Sequence, residues 1–232
     1  MKGKLYGIGT GPGDPELLTL KAIHAIEKCD VIAVPRAESS ERTAFLIVER
    51  YIAGKEVLEC RFSMECDEAK RKAQRMIVAD QICLTLESGK SVGFITLGDP
   101  SVYSTYGYVR DLLSSRGFET ETIPGVTSFS AVAATLNISL CEGDRPLHII
   151  PAGADASIDT SLDYPGNKVI MKSGKDTSKI LDILESRGLS GQTKIVSRCS
   201  MEGEQVFENI REYKESAPSG YFSVIFIREQ IQ

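Results

Sequence analysis

The sequence predicts two α/β domains, the first (1–124) on a mostly parallel five-stranded sheet and the second (125–232) on a mixed sheet. Three observations carry this reading. Short apolar runs of strand length alternate with longer stretches of helical periodicity as far as Ile123. After Pro124-Gly125 the alternation gives way to closely spaced strand-like runs, which puts the boundary between 115 and 130. Two glycine-rich turns, Gly9 to Pro15 and Gly98 to Pro100, each end a strand-like run and each set an aspartate beside a proline.

Leu5 to Ile8 is the first strand. Glu16 to Lys28 follows as a helix, because Leu17, Leu18, Ala22, Ile23 and Ile26 recur at helical spacing. Val31 to Val34 is apolar throughout, as expected of a short strand buried on both faces. Glu41 to Tyr51 is a helix and Glu56 to Arg61 a strand. Asp67 opens a long helix to Ser88, since its carboxylate can accept from first-turn N–H groups that lack partners. Val92 to Leu97 is the fourth strand, Val102 to Arg116 a helix stopped by Gly117, and Glu119 to Ile123 the fifth strand. Strands joined by helices must run parallel with both faces covered.

In the second half, Val126 to Leu136 reads as a helix with the hydroxyls of Thr127 and Ser128 near its start. Leu147 to Pro151, Lys168 to Met171, Lys194 to Ser197, Gln205 to Asn209 and Tyr221 to Ile227 are strand-like, and Thr177 to Arg187 is the one clear helix. Cys141 to Pro146 and Gly153 to Gly166, the latter with Asp155, Asp159 and Asp163, read as linkers and rims.

Pro100 has no N–H and a fixed φ, so its turn ends the fourth strand and presents backbone and carboxylate together at a C-terminal strand end. That is where open α/β sheets bind ligands. Either turn alone could do no more than close a βα connection; two acidic ones imply a shared cleft. Neither is a nucleotide loop. G-x-G-x-x-G begun at Gly9 needs a glycine where Asp14 stands, begun at Gly7 it needs one at Pro12, and Asp14 would repel a pyrophosphate. Gly89-Lys90-Ser91 and Gly174-Lys175 have Leu84 and Val169 where a P-loop has its upstream glycine, so NAD and ATP are both disfavoured.

The chain has 232 residues, 42% hydrophobic and 25% charged, which excludes disordered and collagen-like classes. Its apolar runs fall far short of the roughly 20 residues that span a bilayer, and no signal-peptide core precedes the first strand, so a cytoplasmic protein is expected. Cys29, Cys60, Cys66, Cys83, Cys141 and Cys199 form no C-x-x-C pair and read as free thiols. With only His24 and His148, the chain lacks the residues for a histidine-built metal site or a Ser-His triad, and no metal is expected. A net charge of −5 with dispersed cations argues against nucleic acid.

Gly9-x-Gly11-Pro12-Gly13-Asp14 after a first strand, Gly98-Asp99-Pro100 at the midpoint, and Pro124-Gly125-Val126-Thr127-Ser128, in that order, resemble the tetrapyrrole methylase family. The extended run Gly98 to Tyr106 looks most like the family's C-20 methyltransferases of cobalamin biosynthesis, which act on precorrin-2 or its cobalt-containing counterpart. The uroporphyrinogen, C-11 and C-17 enzymes usually differ where this chain has Ser104-Thr105-Tyr106. The resemblance implies S-adenosylmethionine held in a cleft between the two domains, a tetrapyrrole acceptor, and a homodimer. For the dimer the sequence adds that Tyr103, Tyr106, Tyr108 and Val109 occupy more than one face of the helix from Val102 to Arg116.

By the same resemblance, Pro12, Gly98, Asp99, Pro100, Val102, Tyr103, Ser104 and Thr105 contact the donor, with Thr127 and Ser128 nearby. The second domain adds Met171, Lys172, Arg198, Cys199, Met201, Ser223 and Val224, although Met171, Cys199 and Met201 serve equally well as core. An acceptor with eight carboxylates calls for a few placed cations. Arg36, ending the second strand, is the best candidate, while Arg42 reads better as a solvated charge. Methylation at a meso carbon requires that its proton leave, and Asp14, Asp99 and Tyr106 form the cluster of candidate bases, with Asp14 and Tyr106 also facing substrate. Asp99 could instead hold its own turn. The competing readings are another methyltransferase of this fold, such as the C-11 enzyme or diphthine synthase, and a dinucleotide-binding oxidoreductase.

Overall fold

The structure is a computed structural model that describes residues 2–37, 42–62, 67–153, 158–216 and 222–229. The expectations for Glu41, Cys66, Asp155 and Tyr221 lie outside the described residues. Contacts divide the chain into two compact units, Met1–Thr127 and Ser128–Gln232.

The first unit carries strands β1 (Leu5–Gly9), β2 (Val31–Ala37), β3 (Glu56–Phe62), β4 (Val92–Thr96) and β5 (Thr120–Ile123), all parallel, in the order β3-β2-β4-β1-β5. Helices α1 (Leu20–Lys28) and α2 (Thr43–Val48) carry the chain outward to β3; α3 (Glu68–Glu87) and α4 (Tyr106–Ser115) bring it back across β4 to β5. Right-handed crossovers that reverse direction must change faces. The packing agrees. One core joins Val78, Ile82, Leu86, Val109 and Leu113 of α3 and α4 to Leu5, Ala33 and Phe94; the other joins Ala22, Ile26, Ile47 and Val48 of α1 and α2 to Ile8, Ile32 and Ile95. Every residue of the central β4 is buried, so its sequence is apolar without alternation.

The helix ends differ from the sequence reading for local reasons. Asp14 caps a single 3-10 turn, Pro15–Leu17, and α1 starts only at Leu20, where the Thr19 hydroxyl accepts from Ala22 N–H (3.1 Å). The helix expected from Val102 starts at Tyr106. Before it, side chains compete for the backbone: Asp99 accepts from Ser101 N–H, the Ser104 hydroxyl accepts from Tyr106 N–H, and Tyr103 takes a φ of 47°.

In the second unit, α5 (Ser128–Thr135) packs on a mixed sheet of β6 (Leu147–Pro151), β7 (Asn167–Met171), β8 (Thr193–Ser197), β9 (Gln205–Phe207) and β10 (Ser223–Ile227), ordered β6-β7-β10-β8-β9. Among the described residues of this unit β6 and β7 pair in parallel and the other ladders are antiparallel. The short α6 (Ile158–Ser161), then α7 (Thr177–Ser186) and α8 (Ile210–Ser216), cover the face that presents Ile150, Ile170, Ile195 and Ile225. The sequence reading passed over α8, yet Asn209 and Glu212 cap it in a variant of the capping box: the Asn209 side chain accepts from Glu212 N–H (3.0 Å), and Glu212 reaches back to Glu208 N–H (3.0 Å), one residue before the cap. Among the described residues no helix is long and apolar enough to cross a membrane, and no cluster of histidine, cysteine or carboxylate side chains could hold a metal.

Candidate functional site

The connections leaving β1 and β4 depart to opposite faces of the first sheet, and the two strands are neighbours. That makes their C-terminal ends the switch point of an open α/β sheet, where a crevice forms. Here both acidic turns meet. Gly98 N–H donates to Gly11 O (2.7 Å) and Gly11 N–H to Gly98 O (3.3 Å), an isolated antiparallel bridge between the loops. Thr10 adds its N–H (2.9 Å) and hydroxyl (3.1 Å) to the Thr96 carbonyl.

A third loop enters from the end of β5. A Cβ on Gly9 would lie 2.6 Å from Gly125 N, and one on Gly125 would lie 2.3 Å from Gly98 O, so three backbones touch where no side chain fits. Gly98 differs. Its φ is +75°, and a Cβ there would meet nothing nearer than Val126 O at 4.0 Å. The turn thus holds open a space beside its own backbone.

Asp99 ties the loops together. One carboxylate oxygen accepts from Ser101 N–H (2.7 Å) and the Ser101 hydroxyl, and the other accepts from Gly125 N–H (2.9 Å). Burial alone would push its carboxyl upward, but these donors outweigh it and hold the group below the ordinary aspartate value. Asp99 therefore stays ionised, a poor proton acceptor and a fixed negative charge beside the open space at Gly98. Its stabilisation is present above the ordinary aspartate value and is lost as pH falls through the lower folded value. Asp99→Asn should remove that acid-limb dependence and lower stability by about 1–3 kcal/mol, because an amide NH2 would confront Gly125 N–H. Urea unfolding from pH 2 to 7 checks it; an unchanged acid limb would show that the carboxylate does not bind these loops.

Tyr106 requires a correction. It is fully buried, its hydroxyl donates to Glu121 O (3.1 Å), and its ring fills the space where a Gly7 side chain would project, 2.1 Å from the ideal Cβ. Burial raises its phenol above the usual value. It is core, neither base nor substrate contact. Val109 is likewise buried, so of the residues cited for a dimer only Tyr103 and Tyr108 are exposed. Asp14 is half-buried; one oxygen accepts from Glu16 N–H (2.8 Å) and the other has no partner among the described residues.

The other expected donor contacts of the first unit sit around the same turns. Pro12 and Pro100 are buried within them, Val102, Ser104 and Thr105 are half-buried on the approach to α4, and Tyr103 is exposed. Thr127, at the end of the Pro124 loop, is half-buried, as is Ser128 at the start of the second unit. Arg36 lies at the end of β2, exposed, with Nη1 3.1 Å from Glu59.

Within the second unit, β7 and β8 run in one direction beside the antiparallel β10, so the ends at Met171 and Ser197 and the start at Ser223 share one edge. All the residues expected there cluster at that edge. Lys172 and Arg198, the residues directly after β7 and β8, adopt φ of 59° and 53°, conformations that side chains rarely take and that concentrate at functional turns. Ser223 is buried in a hydroxyl chain with Ser197 (3.2 Å) and Tyr213 (3.0 Å). Met171, Val224 and Cys199 are buried and Met201 is half-buried. Burial raises the Cys199 thiol, which leaves it inert packing, and pushes Cys29 and Cys60 up to about 12. The described cysteines are free.

An open α/β sheet whose switch point is built from glycine backbone and a retained carboxylate defines a small-molecule-binding protein suited to a cationic ligand better than to a phosphate. The family model for tetrapyrrole (corrin/porphyrin) methylases matches residues 4–213, and the chain belongs to that family. It is 37% identical over 206 residues to a protein of Methanocaldococcus jannaschii described as a probable cobalt-precorrin-2 C(20)-methyltransferase, covering 88% of this chain and 86% of that one. It is 33% identical over 233 residues to the cobalt-precorrin-2 C(20)-methyltransferase of Salmonella typhimurium, covering 99% and 98%. The crystal structure of uroporphyrin-III C-methyl transferase from Thermus thermophilus, complexed with S-adenyl homocysteine, superposes with a TM-score of 0.74 at 21% identity, covering 98% of each chain, a likeness of fold.

Proposed function

We propose that the protein is a cytoplasmic, homodimeric C-methyltransferase that transfers a methyl group from S-adenosylmethionine to C-20 of precorrin-2 or its cobalt-containing counterpart. The observation that carries this reading is the match, over nearly the whole chain, to relatives named for that reaction, joined to a switch point that suits the donor. The open space at Gly98 and the ionised Asp99 beside it suit a ligand carrying a sulfonium and an ammonium charge. When bound, S-adenosylmethionine supplies a methyl group already activated at sulfur. The chain's task is then alignment, for which effective molarities reach about 10⁵ M or more.

Gly98 and its neighbours hold the donor, and the Gly11–Gly98 bridge fixes that loop before anything binds. Asp14, with one carboxylate oxygen unengaged among the described residues, either accepts the proton leaving C-20, directly or through a water, or holds pyrrole N–H groups. Free thiols fit a reducing compartment, and the exposed Tyr103 and Tyr108 fit an interface.

Incubation with carbon-13-methyl donor and precorrin-2, followed by mass spectrometry and carbon NMR, tests the reading. One added methyl at C-20 is expected, with Asp14→Asn binding donor normally but turning over more slowly. A methyl at any other carbon, or none, overturns it. A monomer mass of 25.3 kDa for active enzyme in light scattering would remove the dimer.

A further inference from the structure

A cluster of arginines stands at the C-terminal edge of the first sheet. Arg36 on β2 and Arg61 on β3 are register partners, so their side chains leave the same face from strands about 4.8 Å apart. Glu59, one step back on that face, is the counter-ion. Its oxygens accept from Arg36 Nη1 (3.1 and 3.3 Å) and lie 3.2 Å from Nη2 of Arg42, which also covers the Phe45 ring. Arg61 is exposed and has no ion pair or hydrogen bond among the described residues. Among the described residues, three guanidinium groups stand against one carboxylate here. Like charges at opposed positions destabilise a strand pair, and exposed ion pairs return little stability.

We propose that Arg61, with Arg36 and Arg42, forms a socket for side-chain carboxylates of the acceptor, and that Glu59 occupies the socket as an internal carboxylate which the acceptor displaces from Arg36. The inference rests on the tetrapyrrole reading above. The planar guanidinium fork matches a carboxylate in two hydrogen bonds. Arg61, with no counter-ion among the described residues, makes the first contact; Arg36 then exchanges one carboxylate for another, so that its charge is never left unpaired.

The test uses uroporphyrin, a stable porphyrin with eight carboxylates, titrated by fluorescence at two ionic strengths, while S-adenosylmethionine is titrated by calorimetry. Arg61→Ala should bind the porphyrin about tenfold more weakly and with a flatter salt dependence, at unchanged donor affinity. Arg61→Lys, which keeps the charge and loses the fork, should recover part of the loss. Glu59→Gln should bind the porphyrin more tightly, because the internal competitor is gone. Wild-type affinity and salt dependence in Arg61→Ala would overturn the proposal, as would a wild-type chain that does not bind the porphyrin. Failure of the C-20 reading looks different: porphyrin held in an Arg61-dependent way without methylation of precorrin-2 leaves the socket standing and removes the function proposed above.

Discussion

Titrated with S-adenosylmethionine, Gly98→Val should bind roughly a hundredfold or more weakly than the unaltered chain, a loss of about 2.7 kcal/mol, yet remain folded. The structure separates these two effects. A Cβ on Gly98 meets no atom nearer than 4.0 Å, so the protein itself accommodates the added Cβ, and a ligand using that space is obstructed. The intramolecular cost is the left-handed φ of +75°, about 1–2 kcal/mol for a non-glycine residue, or a few degrees in melting temperature. Gly98→Ala should fall between. Undiminished donor affinity in a folded Gly98→Val protein would remove this turn from the site.

Gly125→Ala is the opposite case, a smaller change with a larger structural effect. Its Cβ would lie 2.3 Å from Gly98 O and 2.9 Å from Gly9 Cα, backbone atoms that cannot swing aside as a side-chain tip can. Relief requires the Pro124 loop to back away, which also breaks the Gly125 N–H bond to Asp99. A loss of about 3 kcal/mol or more is expected, lowering the melting temperature by roughly 6–12 °C. Gly117→Ala, where φ is +78° but no atom lies within 4 Å, provides the control for backbone strain alone. If Gly125→Ala melts no lower than Gly117→Ala, the three-loop contact is not as close as the geometry has it.

Local pattern revealed what is locally determined. The strands of the first sheet, the cap at Asp67 and the two acidic turns were legible because periodicity, proline and glycine act within a few residues of where they stand. Pairing is not local. Nothing along the chain says that β1 lies between β4 and β5, or that Arg61 stands opposite Arg36. Tyr106 shows the cost of this. Next to an acidic turn it reads as a functional phenol, and only the missing side chain of Gly7, on a distant strand, turns its ring inward. The start of α4 was misread for a different reason: the Ser104 hydroxyl takes the Tyr106 N–H that a helix from Val102 would need. At the Gly98 turn the sequence supplied the residues, but not the difference between Gly125, which is packed shut, and Gly98, which is open.

The strand order also fixes a schedule. β1 is made first among the strands of its unit, and its partners among the described residues, β4 and β5, are made last. At about 5–20 residues per second, Leu5–Gly9 waits on the order of 5–20 s with both edges unpaired, exposed to other nascent chains or chaperones. The Gly9 turn cannot acquire its bridge until Gly98 arrives, and Asp99 has no Gly125 N–H to grip until later still. Donor bound at the Gly98 turn as proposed therefore cannot assist the early steps. It stabilises only a chain already complete through Gly125, so ligand rescue should reach variants that loosen the finished unit and miss those that delay its assembly.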